Sequence, residues 1–169
     1  IDKWTKTAQE NNLTRRVYGF DTFEGFPQIN AKDKSKTSSH LKKGDLKADV
    51  FEELKDLISI YDSTRVLGHI NKINLIRGNA INTIPEFIET NPHILVSLLF
   101  LDFDLYEPTK VAIENFIPRM PKGGIIAFDE LDNPLWPGET LAMLEYHSKY
   151  NFEIKRFPFD PYIGYAILH

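Results

Sequence analysis

Apolar residues fall into two kinds of run along this chain, and the two kinds alternate. Arg16 to Phe20 reads as a short strand of aromatic and β-branched residues, ending at Asp21. From Asp45 onward, Ala48, Phe51, Leu54, Leu57 and Ile58 recur at steps of three and four, which predicts a helix with one apolar face. Lys72 to Arg77 predicts a second strand, closed by Gly78-Asn79. A short helix is expected over Ile84–Glu89, with Pro85 in its first turn. Ile94 to Leu101 is an apolar run of strand length, the pattern of a strand covered on both faces.

The same rhythm continues to the end. A helix is predicted from Pro108 to about Arg119, with Val111, Ala112, Phe116 and Ile117 inward. Pro121 and Gly123-Gly124 mark a turn before a second buried strand, Ile125 to Phe128. Thr140 to Tyr150 reads as a helix, and Phe152–Pro158 with Ile163–His169 as an antiparallel hairpin at the sheet edge. Residues 2–12 read as the tail of a helix stopped by Asn11-Asn12. Alternating strands and helices predict an α/β fold: a mostly parallel sheet with helices on both faces, in one domain over residues 1–169. Residues 28–44 break the rhythm. They are rich in Lys, Ser, Thr and Asp, and predict a mobile surface loop, either plainly solvated or a lid over a site.

Composition narrows the chemistry. The 169 residues suit one core, and the absence of cysteine excludes disulfides, thiol nucleophiles and zinc–thiolate sites. A net charge of -4 argues against nucleic acid as the main partner. No apolar run approaches the roughly 18 residues that span a bilayer, and no secretion-signal pattern opens the chain. The expectation is a cytoplasmic enzyme without a membrane partner.

In open α/β sheets, ligands bind beyond the carboxyl ends of the strands. Those ends carry Asp21-Thr22, Gly78-Asn79, Asp102-Phe103-Asp104 and Asp129-Glu130. Strand alternation would turn Asp102 and Asp104 to one side, with Asp129 and Glu130 arriving from the neighbouring strand. Converging carboxylates repel unless a cation lies between them, and oxygen-only ligands favour Mg2+, Mn2+ or Ca2+. The bland alternative is a set of solvated or capping carboxylates, with Asp104 capping the helix near Pro108. Asp21 is placed to accept hydrogen bonds from ribose hydroxyls, and Asn79 to hold an adenine edge or simply to form a turn.

Three motifs in order resemble the macrocin O-methyltransferase family: Val17-Tyr18-Gly19-Phe20-Asp21-Thr22-Phe23-Glu24-Gly25-Phe26-Pro27, Leu101-Asp102-Phe103-Asp104-Leu105-Tyr106-Glu107-Pro108-Thr109, and Pro121 to Glu130. The resemblance implies a class I methyltransferase (Rossmann-like) fold, S-adenosylmethionine as donor, Mg2+ or another divalent cation, and a hydroxyl acceptor on a sugar or glycosylated small molecule. It implies Asp102, Asp129 and Glu130 as metal ligands and Asp104 as general base. Asp21, Thr22, Asn79 and Asp102 fall on the donor side. It leaves room for a homodimer. The family places a strand and a glycine-rich loop ahead of the position of Asp21; neither is found in residues 1–16, so that first strand is expected to be absent from this chain. The competing readings are a metal-dependent hydrolase or phosphoryl-transfer enzyme using the same carboxylates, and a truncated, non-catalytic remnant. The first of these would need a phosphate cradle. No P-loop is present, and Gly123-Gly124 precedes a strand rather than a helix.

Overall fold

The computed structural model describes residues 14–169, so the helix read at residues 2–12 lies outside the described residues. Six strands and four helices follow in the order β1 (Val17–Asp21), α1 (Phe51–Ser63), β2 (Ile73–Arg77), α2 (Ala80–Thr90), β3 (Leu98–Leu101), α3 (Tyr106–Phe116), β4 (Ile125–Phe128), α4 (Pro137–Tyr150), β5 (Lys155–Arg156) and β6 (Gly164–Ile167). Single 3-10 turns occupy Ala31–Asp33 and Ile117–Arg119.

The strands form two sheets. β1 and β2 pair in parallel, and β3, β4, β6 and β5 lie side by side in that order. Within the second sheet β3 and β4 are parallel, while β6 is antiparallel to both β4 and β5, which is the expected hairpin. Side chains join the two sheets. Phe20 of β1 meets Phe87 of α2 and Phe116 of α3, with ring centres 5.3 and 5.7 Å apart. Period-two alternation decides the main core. Leu99, Leu101, Ile126, Phe128 and Ala166 face one way and pack with Ile84, Ile113, Phe116, Met143 and Tyr146 from α2, α3 and α4.

Several predicted boundaries shift, each for a local reason. The first helix starts at Phe51 rather than Asp45, because the Asp45 side chain accepts the Lys42 N–H and Leu46 sits in the left-handed region at φ 58°. Its apolar face also packs less deeply than the spacing suggests: no residue of α1 is fully buried, and Leu57 stays 59% exposed. α2 begins four residues early because Asn79 caps it, accepting the Ile81 N–H at 3.1 Å. Pro85 therefore lies inside the helix and not in its first turn. The run Ile94–Leu101 is a strand only from Leu98, since Ile94 turns back to the Asn91 carbonyl and Val96 bonds to Arg119. Nor is that strand covered on both faces: Phe100 is 48% exposed. α4 starts at Pro137, where a proline costs no hydrogen bond.

Phe128 is fully buried at the end of β4, next to the carboxylates. Phe128→Ala is expected to lower stability by about 3–5 kcal/mol, read as a fall in the urea unfolding midpoint.

Candidate active site

Parallel pairing places the carboxyl ends of β1 and β2 together, and those of β3 and β4 together. A cavity of about 240 Å³ opens there and brings together Asp21, Thr22, Asn79, Asp102 and Asp104. Asp129 and Glu130 are not in its lining. They are still felt by it, because Glu130 and Asp129 both raise the proton affinity of Asp104.

The residues differ in what they have free to offer. The Asp21 carboxylate accepts its own turn's Phe23 N–H, and the Thr22 hydroxyl donates to the Gly25 carbonyl at 2.7 Å. Asn79 spends its side-chain oxygen on capping α2. Among the described residues, no group of three or more His, Asp or Glu side chains stands ready as a metal cage. The expected ligand set of Asp102, Asp129 and Glu130 is thus not preassembled: the Glu130 carboxylate accepts the side-chain amide of Asn133 instead.

Asp104 departs from the sequence expectation in its backbone. Strand geometry ends at Leu101, and Asp104 adopts φ 59°, so alternation no longer turns it to the same side as Asp102. A short polar side chain tolerates this region better than most. Asp104 is not the cap of α3 either. The N-cap position is Leu105, which makes no side-chain cap, and the Tyr106 N–H goes to Asp33, 73 positions away in sequence, at 2.6 Å.

Burial and like charge set the electrostatics. Asp104 is pushed up to about 7, by burial first and then by Asp102, Glu130 and Asp129. Asp102 is raised by burial, Glu130 and Asp21, and Asp129 by burial, Asp102 and Asp160. Among the described residues, no cationic side chain offsets these shifts. Among the aromatic residues around these turns, Tyr106 is buried beneath Lys32, Trp136 packs on Phe26 at 5.6 Å, and Tyr162 remains open to solvent.

A model of the macrocin-O-methyltransferase (TylF) family matches residues 5–156. The chain belongs to the macrocin O-methyltransferase family. Its fold is close to the crystal structure of CalS11, a calicheamicin methyltransferase, with 34% identity and a TM-score of 0.83 over 93% of this chain and 62% of that one. The structure of the O-methyltransferase NovP shares the fold at 23% identity and a TM-score of 0.68, over 92% of this chain and 60% of that one. A curated relative from Streptomyces olivaceus, 8-demethyl-8-(2,3-dimethoxy-α-L-rhamnosyl)-tetracenomycin-C 4'-O-methyltransferase, is 27% identical over 119 residues. That match covers 70% of this chain and 43% of the relative. The chain therefore spans less than two thirds of these relatives' own lengths.

In this member of the macrocin O-methyltransferase family, a further acid near the cluster is not evident from the sequence pattern. Glu139 is fully buried in the first turn of α4; its Oε1 accepts the Glu130 N–H at 2.9 Å. Its Oε2 is buried without a hydrogen-bond partner among the described residues. Burial raises it to about 8, and Asp104, Asp102 and Asp129 add to the shift. The signal was an acid directly after Pro137-Gly138, at a helix start read three residues too late.

The raised carboxyls fix a pH trend. An acid whose folded pKa lies above its unfolded value, near 4, is protonated longer in the folded state, so the unfolded state binds fewer protons as pH rises. For Asp104 this window runs from about pH 4 to about 7, and for Glu139 to about 8. Cation-free protein is expected to lose thermal stability across that window and level off above it. Glu139→Gln should flatten the upper part of the slope, as measured by melting temperature against pH.

Proposed function

We propose that this chain catalyses transfer of a methyl group from S-adenosylmethionine to a sugar hydroxyl, assisted by a divalent cation, with Asp104 as general base. The single observation that carries the reading is Asp104 itself. It lines the cavity at the end of β3, and burial with three neighbouring carboxylates pushes it up to about 7. A base whose pKa lies near the working pH takes up and releases a proton with little bias, which is what deprotonation of a hydroxyl during attack requires. Asp21 at the end of β1 and the Gly78-Asn79 turn after β2 line the wall of the cavity that would hold the donor's ribose and adenine, the same cavity that Asp104 lines.

The donor set suits a cation. Asp102, Asp129 and Glu130 would supply oxygen ligands, and they raise one another's or a neighbour's proton affinity, as anions sharing a cleft do. Glu130 would have to leave Asn133 to join them. A bound Mg2+ would make the acceptor hydroxyl more acidic and offset the anionic cluster. The names of two relatives support the acceptor class. One CalS11 structure, 32% identical with a TM-score of 0.74, is described as a TDP-rhamnose 3'-O-methyltransferase, and the tetracenomycin-C enzyme acts on a rhamnosyl product. The acceptor proposed here is accordingly a hydroxyl of a rhamnose-type sugar, free as a sugar nucleotide or already attached to a small molecule.

Calorimetry of the full chain with S-adenosylmethionine, with and without Mg2+, tests the binding half of this reading; donor binding is expected, and its absence under both conditions would end it. Asp104→Asn is expected to lower kcat by about 10²- to 10⁴-fold while leaving the donor Kd unchanged. Loss of donor affinity to the same degree would remove the base role.

A further inference from the structure

The segment predicted as a loop is built as a closed unit. Its ends are tied by Phe26 N–H to the Asp45 carbonyl at 3.0 Å and Gly44 N–H to the Phe26 carbonyl at 2.9 Å. Gly25, at φ 77°, lets the two chain ends meet: a Cβ there would lie 2.3 Å from the Asp45 oxygen. Inside the loop, Asn30 and Asp33 form a reciprocal capping box, with the Asp33 carboxylate accepting the Asn30 N–H at 2.6 Å. The second oxygen of that carboxylate accepts the Tyr106 N–H, also at 2.6 Å. Asp33 is 2% exposed.

The loop also reaches the other arm of the site. Ser35 and Thr37 donate to the Pro134 carbonyl at 2.7 and 2.9 Å. Gly138, in the first turn of α4, lies so close that an added Cβ would stand 2.3 Å from Asp33 Oδ1, 2.5 Å from Tyr106 N and 3.0 Å from the Asp104 carbonyl. One buried carboxylate thus sits where three pieces of chain meet: the loop, the Asp104 turn after β3, and the start of α4, whose next residue, Glu139, holds the Glu130 N–H.

We propose that Asp33 is a positioning residue for methyl transfer: it straps the Asp104 turn to the arm that carries Asp129 and Glu130, and so sets where the base stands relative to the other carboxylates. This rests on the role of Asp104 given above. Leu105 supplies no cap to α3, so Asp33 alone among the described side chains accepts the first helical N–H. A carboxylate on a helix N-terminus is a charge-assisted bond favoured by the helix dipole. Holding the Tyr106 peptide in place limits how the preceding left-handed Asp104 can swing. Displacements of about 1 Å in a reacting group can cost about 10²-fold in rate.

The test compares the full-length wild type with Asp33→Ala, Asp33→Asn and the Ser35→Ala/Thr37→Ala double variant, in kinetics and by crystallography. Asp33→Ala is expected to lower kcat by about 10- to 100-fold with donor Kd and KM unchanged. Asp33→Asn should recover part of the loss, because its amide oxygen still accepts the Tyr106 N–H. If Asp33→Ala does not fold, the double variant, which loosens the second anchor, is expected to show the same split between kcat and KM on a smaller scale. A kcat equal to wild type, or a fall in kcat matched by the donor affinity, overturns the proposal. Crystal structures judge the strap without any activity. An Asp104 φ still near +59° and an unmoved α3 start in Asp33→Ala would overturn it; a displaced Asp104 turn in a protein that transfers no methyl group would sink the functional reading alone.

Discussion

Carboxylates gathered at the ends of parallel strands, partly removed from water, repel one another, and the surrounding chain has to hold them against that repulsion. Asp102, Asp104, Asp129 and Glu139 all have raised proton affinity, with burial the largest cause and neighbouring carboxylates adding to it, while at Glu139 the Glu130 N–H works the other way. The backbone is correspondingly restrained around them. Glu130 is fixed through its N–H by Glu139 and through its carboxylate by Asn133. The Asp104 turn is followed at once by buried Leu105 and Tyr106. Such repulsion raises the cluster's affinity for protons, and a bound cation would relieve it, as the proposed methyl transfer supposes.

The two sheets divide the labour. The β1–β2 pair offers Asp21 and the Gly78-Asn79 turn to one side of the cavity, and β3–β4 offers the carboxylates to the other. No β1–β3 pairing is seen among the described residues; the rings of Phe20, Phe87 and Phe116 hold the halves together instead. The position of Asp21 and Asn79 relative to Asp104 therefore depends on packing in the main core as well as on the cavity itself. Polar segments contribute in the same way. Residues 28–44, poor in large apolar side chains, nonetheless place Asp33 and Ser38 among the most buried polar residues described.

Membership of the macrocin O-methyltransferase family agrees with the three motifs read in order, and the good superposition on CalS11 agrees with the α/β fold. Those motifs were legible because each is a strand followed at once by its polar end, so pattern and chemistry coincide within about ten residues. Glu139 and Asp33 were not legible for the opposite reason. One sits in a helix start whose first residues are Pro137 and Gly138, and the other in a lysine-rich stretch that reads as solvent-facing. Their burial comes from chain segments far away in sequence.

The order of strands and helices, the strand ends that bear Asp21, Asn79, Asp102, Asp104, Asp129 and Glu130, and the kinship of the chain were all determined by the sequence alone, because periodicity and strand-end polarity are local properties. Tertiary structure alone decided which of those residues share the cavity, that Asp104 leaves strand geometry at φ 59°, that Glu130 turns to Asn133, and that Asp33 rather than Asp104 caps α3. Each of these depends on a contact between residues brought together only by folding. The energy of burying a charge, which raises Asp104 to about 7, exists only once the rest of the chain has excluded water from it.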